Sequence, residues 1–193
     1  MTQLLPLVFT AGWASGINPY LVVLLLGLTG RLTDLGIPDA LTRTDVLIAA
    51  AVLTAIDFVA DKISFVDSTW DAVNTAIRPV AGTVIALLIA GDATSLQQAL
   101  LAATGGVTAF ASHLVKAGIR LGVNTSPEPA SNVVVSVTED VTVTGVVLLA
   151  LAAPWAAAAI ALVLLVSGAT LVALLWSFIR SRRRRPGGRA TET

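Results

Sequence analysis

Apolar residues run in six long stretches along the chain, at about residues 4–28, 46–61, 72–90, 96–119, 133–153 and 155–179. An α-helix rises 1.5 Å per residue, so roughly 20 apolar residues match the ~30 Å hydrocarbon core of a bilayer. The pattern predicts an all-α, polytopic transmembrane helix bundle of about six spans. The last stretch carries no charge, and Trp155 and Trp176 lie about 31 Å apart along it, the spacing of two membrane interfaces. Gly168 and Ala169 between them admit a close neighbour. The first stretch contains Gly12, Gly16, Asn18 and Pro19, which predict a break or kink. Residues 31–45 read as a long loop.

Polar residues interrupt the middle stretches with helical spacing. Asp57 and Asp61 share a face of the second span, with Lys62 beside them. Asp71, Asn74 and Arg78 share a face of the third, and His113, Lys116 and Arg120 share one of the fourth. Asn132, Ser136 and Glu139 do the same on the fifth, next to Asp140. A charged side chain at bilayer depth costs about 2.5–3.5 kcal/mol unless it meets a partner or a water cavity. Four stripes starting near one end predict a single polar cleft open to the cytoplasm. Seven acids there (Asp57, Asp61, Asp67, Asp71, Glu128, Glu139, Asp140) outnumber four bases (Lys62, Arg78, Lys116, Arg120), which suits a cation or protons more than a free anion. Lys62, Asp67, Asp71, Arg120 and Glu128 read as ordinary ion pairs near the membrane surface. Asp57, Arg78, His113, Glu139 and Asp140 sit deeper and read as functional. Glu139 and Asp140 point about 100° apart and do not share one partner. Asn18-Pro19 either exposes backbone carbonyls as ion ligands, as broken helices do in transporters, or is a packing kink. Ser126-Pro-Glu-Pro129 reads as a rigid turn.

Composition narrows the class. Charged residues are 12% of the chain and mean hydropathy is +0.85, against roughly 25% charged in a soluble domain. No cysteine is present, which excludes disulfides, thiolate catalysis and thiolate metal sites, and His113 is the single histidine. No phosphate-binding loop or hydrolase motif occurs, no cofactor or metal is specified, and no nucleic-acid partner is expected. The net charge of zero conceals an asymmetry: six of twelve basic residues lie from Arg180 onward, leaving the preceding body at −5. By the positive-inside rule that arginine-rich end is cytoplasmic, as are the loops at residues 62–71 and 122–132, and six spans then place the N-terminus there too. The expected organisation is a membrane domain over residues 1–180 and a basic disordered tail over 181–193, whose arginines also suit anionic lipid. MTQLLPLVF lacks a positive leader region, so the first stretch reads as a retained helix in a multi-pass protein of the cell membrane.

Residues 47–62 line up with residues 101–116, matching Leu, Ala, Thr-Ala and Lys; this is either an internal repeat of shared orientation or apolar low complexity, with a three-plus-three inverted arrangement as the rival. Several motifs together resemble an uncharacterised bacterial integral-membrane family, domain of unknown function 4126. They are Gly16-Ile-Asn-Pro-Tyr20, Asp57-Phe-Val-Ala-Asp61-Lys62, Asp67-Ser-Thr-Trp-Asp71, Arg78-Pro79 with Gly82, and Ser126-Pro-Glu-Pro129 through Asn132 to Glu139-Asp140. The resemblance covers all but the tail and implies no activity. Three functions stay open: a small transporter or channel-like permease for an ion or small polar solute; a membrane-embedded enzyme using Arg78, Lys116 and Arg120 on a lipid phosphate with acids holding Mg²⁺; and a structural or accessory subunit. A bundle of this size also permits a homo-oligomer.

Overall fold

The computed structural model describes residues 3–123 and 129–183. Among them are eight helices and no strand: α1 (Leu4–Ile17), α2 (Pro19–Leu32), α3 (Asp39–Thr42), α4 (Thr44–Ala60), α5 (Ser64–Ala90), α6 (Ser95–Val123), α7 (Pro129–Ala152) and α8 (Pro154–Arg183). Helices α5 to α8 are each long and apolar enough to cross a membrane. α4 has 17 residues, about 25 Å. Its Ile48, Val52, Ile56 and Val59 are exposed on one face, which water would not tolerate and lipid does. Trp155 and Trp176 are both exposed on α8, which buries almost none of its surface, as expected of a lipid-facing anchor.

The first apolar stretch departs from a simple span. Pro19 forces the residue before it out of helical geometry and has no N–H to lose at a helix start. Asn18 accordingly sits extended, at φ −150° and ψ 90°, and ends α1. Its side-chain oxygen then accepts from Leu21 N at 3.0 Å and caps α2. One Asn-Pro pair thus ends one helix and begins the next. Each has 14 residues, about 21 Å, too short to cross alone.

Helix directions follow from the close contacts. α1 runs with α6: Gly12 meets Gly105, Gly16 meets Ala109, and Ile17 O meets Lys116. α8 runs with both, Gly168 against Val115 and Gly118 against Val172. α2 runs against α4, with Gly27 at Leu47 and Arg31 at Thr44, while α4 ends where Asp61 meets Arg120. α2 therefore returns toward the end from which α1 came. The pair is a helical hairpin with Asn18 at its tip, packed against α4 to α8, of which α5 to α8 are long and apolar enough to cross a membrane. The first stretch, expected as one span with a break or kink, is instead two helices that turn back, so residue 4 and residue 183 lie at opposite ends of the bundle and not at the same end as six spans would place them. We expect reporter fusions before residue 4 and after residue 183 to report opposite sides of the membrane, and same-side labelling to refute the hairpin.

Two other boundaries move. α5 starts at Ser64, so the loop expected at residues 62–71 shrinks to a turn. α8 continues to Arg183, into the segment expected to be a tail; the rest of that segment and Ser126 to Glu128 lie outside the described residues. α4 and α6 run in one direction, as a repeat of shared orientation requires. Their aligned lysines nevertheless differ in use: Lys62 reaches Phe58 O and Ser136, whereas Lys116 enters the centre.

Candidate functional site

The hairpin tip sits inside a polar layer built by α4, α5, α6 and α7. At the C-cap of α4, Asp61 Oδ2 accepts from Lys116 Nζ at 2.7 Å and from Arg120 Nη2 at 3.1 Å, while its backbone oxygen accepts from Arg120 Nη1 at 2.8 Å. Arg120 Nη2 also donates to Glu139 Oε2 at 2.7 Å, and Asp67 lies 3.9 Å from Nη1. Lys116 Nζ lies 3.7 Å from Glu139 and donates to Ile17 O at 3.2 Å. The carbonyl freed where α1 ends thus accepts from a lysine, Lys116. Asn18 Nδ2 donates to Asp140 Oδ1 at 3.2 Å. Glu139 and Asp140 therefore diverge, one to the cations and one to the hairpin.

A second set lies one helical turn further in. Trp70 Nε1 donates to Asp57 Oδ1 at 2.6 Å, and Arg78 bridges Asp57 at 3.5 Å and Asp71 at 3.0 Å. Arg78 Nη1 also donates to His113 Nδ1 at 2.8 Å. An arginine only donates, so His113 is the neutral tautomer with its proton on Nε2. That proton meets Thr75 Oγ1 at 3.0 Å, whose hydroxyl donates to Asp71 O. Tyr20 OH, just past the tip, donates to Asn74 Oδ1 at 3.2 Å, and Asn74 donates to Trp70 O. Asn132 and Ser136 are buried on α7.

All four stripes converge as expected, but they close on one another instead of lining an open cleft. Asp67, Asp71 and Arg120, expected near the surface, are 0%, 6% and 1% exposed. The reason is the early start of α5, which draws both aspartates into the bundle. Lys62 stays half-exposed, and Glu128 lies outside the described residues. Ser112 Oγ also donates to Trp13 O at 2.6 Å. Sequence reasoning gave no role to Trp70 and Tyr20, which it held only as motif positions, and did not single out Thr75 or Ser112. The first two are amphipathic aromatics beside charged positions, a usable signal; Thr75 and Ser112 carry none, since helical Thr and Ser usually bond their own backbone. Among the described residues no three His, Asp or Glu side chains are disposed to hold a metal ion.

Two small cavities flank the layer. One, of about 170 Å³, lies between α5 and α6 against Asp71, Thr75 and Arg120. The other, of about 120 Å³, lies beneath α8 against Lys116 and Glu139. The ion-paired layer separates them.

The motifs that build this layer span nearly the whole body, and a family model described as domain of unknown function (DUF4126) matches residues 5–176. The chain belongs to this family. No curated protein and no solved structure matches it. Every side chain described above falls within the DUF4126 match, so the hairpin tip and the ion-paired layer belong to the family domain and not to an appended segment.

Proposed function

We propose that this membrane protein is a small transporter or channel-like permease for protons or a cation, with the layer around Asp57, Asp61, Arg78, Lys116, Arg120, Glu139 and Asp140 as its binding and coupling site. One observation carries the reading: an acid excess held at membrane depth against the tip of a re-entrant hairpin. Six carboxylates (Asp57, Asp61, Asp67, Asp71, Glu139, Asp140) face four bases (Lys62, Arg78, Lys116, Arg120), and His113 is neutral. With every carboxyl ionised the layer carries −2. An uncompensated buried charge costs several kcal/mol, so about two positive charges, as protons or a cation, complete the site. Asp57 Oδ2 and Asp61 Oδ1 are buried without a hydrogen-bond partner, consistent with acceptors that serve a cation. A hairpin made of two half-length helices is also an element able to move without unfolding a span.

The lipid-phosphate enzyme has less support. Arg78, Lys116 and Arg120 are each already engaged by one or more carboxylates, so a phosphate would have to displace an acid from each of them. For sidedness we propose that the arginine-rich end faces the cytoplasm of a cell membrane, so both feet of the hairpin face outward.

Flux into proteoliposomes under a pH gradient, with a panel of monovalent and divalent cations, tests the reading. Wild type is expected to carry protons or one cation well above empty liposomes. The Glu139→Gln, Asp140→Asn pair is expected to lower that flux at least tenfold. Flux equal to empty liposomes across the panel would favour an accessory subunit, and wild-type flux in the double variant would remove that pair from the site.

A further inference from the structure

A cavity lies beneath α8, against the ion-paired layer. Trp13, Val115, Leu164 and Leu165 wall it, and Lys116 and Glu139 stand at its polar side. Its volume is about 120 Å³, equal to roughly four waters at ~30 Å³ each or one compact group of about five heavy atoms. Glu139 is the most exposed of the carboxylates paired in the layer, at 16%. Arg120 and Lys116 both hold its Oε2, and no hydrogen bond among the described residues reaches Oε1. Lys116 is taken by Asp61 and Ile17 O. Glu139 is thus paired through Oε2 to Arg120 and Lys116, and its Oε1 is the acceptor without a hydrogen bond among the described residues. The wall opposite is α8, an apolar helix with little buried surface that faces lipid on its other side.

We propose that this cavity is a membrane-side binding site for a small organic monocation of the quaternary-ammonium type. The methyl groups meet the apolar wall and Trp13, and the charge meets Glu139. An ammonium without N–H groups suits the place, because it demands no hydrogen bonds from apolar walls and gains from an aromatic face and a carboxylate. Entry is lateral, beneath α8. The proposal names a ligand class for the site proposed above and rests on that reading only for the acid excess.

Equilibrium binding tests it without requiring transport. Purified protein in phosphatidylglycerol nanodiscs is titrated with tetramethylammonium and followed by calorimetry. Saturable one-to-one binding is expected, weakened at least tenfold in Glu139→Gln, with neutral tert-butanol a poor competitor. Equal affinity in that variant, or equal competition by the alcohol, would show an apolar hole without charge recognition and overturn the proposal. The native chain has no cysteine, so a Val115→Cys, Gly168→Cys pair would be unique. A Cβ at position 168 stands 3.9 Å from Val115 Cβ, inside the range a disulfide requires. Oxidation ties α8 across the cavity and is expected to lower affinity at least tenfold, with recovery on reduction of the same sample. Equal affinity in both redox states places the cation elsewhere and overturns the site. In phosphatidylcholine, a weaker apparent affinity marks the lipid headgroup as the native source of this ammonium, and an unchanged one marks a free cation. Saturable binding with no cation flux sinks the transport reading and keeps this one; flux without saturable binding does the reverse.

Discussion

Replacing Arg120 with methionine is expected to destabilise the protein by about 3–5 kcal/mol, the range for removing one partner of a buried ion pair. The side chain is 1% exposed and touches three carboxylate residues: Asp61 at 3.1 Å, Glu139 at 2.7 Å and Asp67 at 3.9 Å. Methionine fills much of the volume but leaves those acids uncompensated, so the loss is electrostatic and not a cavity effect. It also frees the Asp61 carbonyl at the end of α4. Adding Glu139→Gln to Arg120→Met is expected to recover part of the loss, because it removes one of the stranded charges. Steric-trapping or reversible denaturation in mild detergent measures both. A loss under about 1 kcal/mol is what a solvated surface pair gives, and would show that water reaches the layer.

Gly105→Leu is expected to be comparably damaging through packing alone. A Cβ there stands 2.5 Å from Gly82 O and 2.6 Å from Ala86 Cβ, while Gly12 on α1 already presses against the Gly105 backbone. The obstacle on the α5 side includes main chain, which cannot rotate away. The cost should reach about 3 kcal/mol, the upper end for overpacking, and α1 must shift with its hairpin tip. Flux should therefore fall even in the fraction that stays folded. Gly145 on α7 is the contrast, with nothing within 4 Å of its Cβ position. Gly145→Ala should be neutral or stabilising by up to ~1 kcal/mol, as expected when a helical glycine faces open space. Equal melting temperatures for Gly105→Leu and Gly145→Ala would mean that α1, α5 and α6 are not packed through their glycines.

The stripes were legible because a helix repeats every 3.6 residues, so Asp71 and Arg78, or Lys116 and Arg120, announce a shared face from spacing alone. The break at Asn18 was legible because proline restricts its predecessor locally. The burial of Asp67 was not legible, since it depends on where α5 begins, and helix starts are weakly marked when the preceding turn is short. Trp70 stood in a motif without a role, because a donor to Asp57 is recognised only once α4 and α5 are side by side.

By itself the sequence determined the membrane class, the apolar helices α4 to α8, the polar faces and the acid excess, since hydropathy and periodicity act within a single helix. Only the tertiary structure decided that the first apolar stretch turns back, that the four faces pair with one another, and that Lys116 closes on the carbonyl of Ile17. The physical reason is that these outcomes depend on contacts between residues far apart in the chain. A kinked span and a re-entrant hairpin satisfy the same local rules at Asn18-Pro19. What separates them is whether α2 finds its apolar partners on α4 and α7 ahead of the tip or behind it.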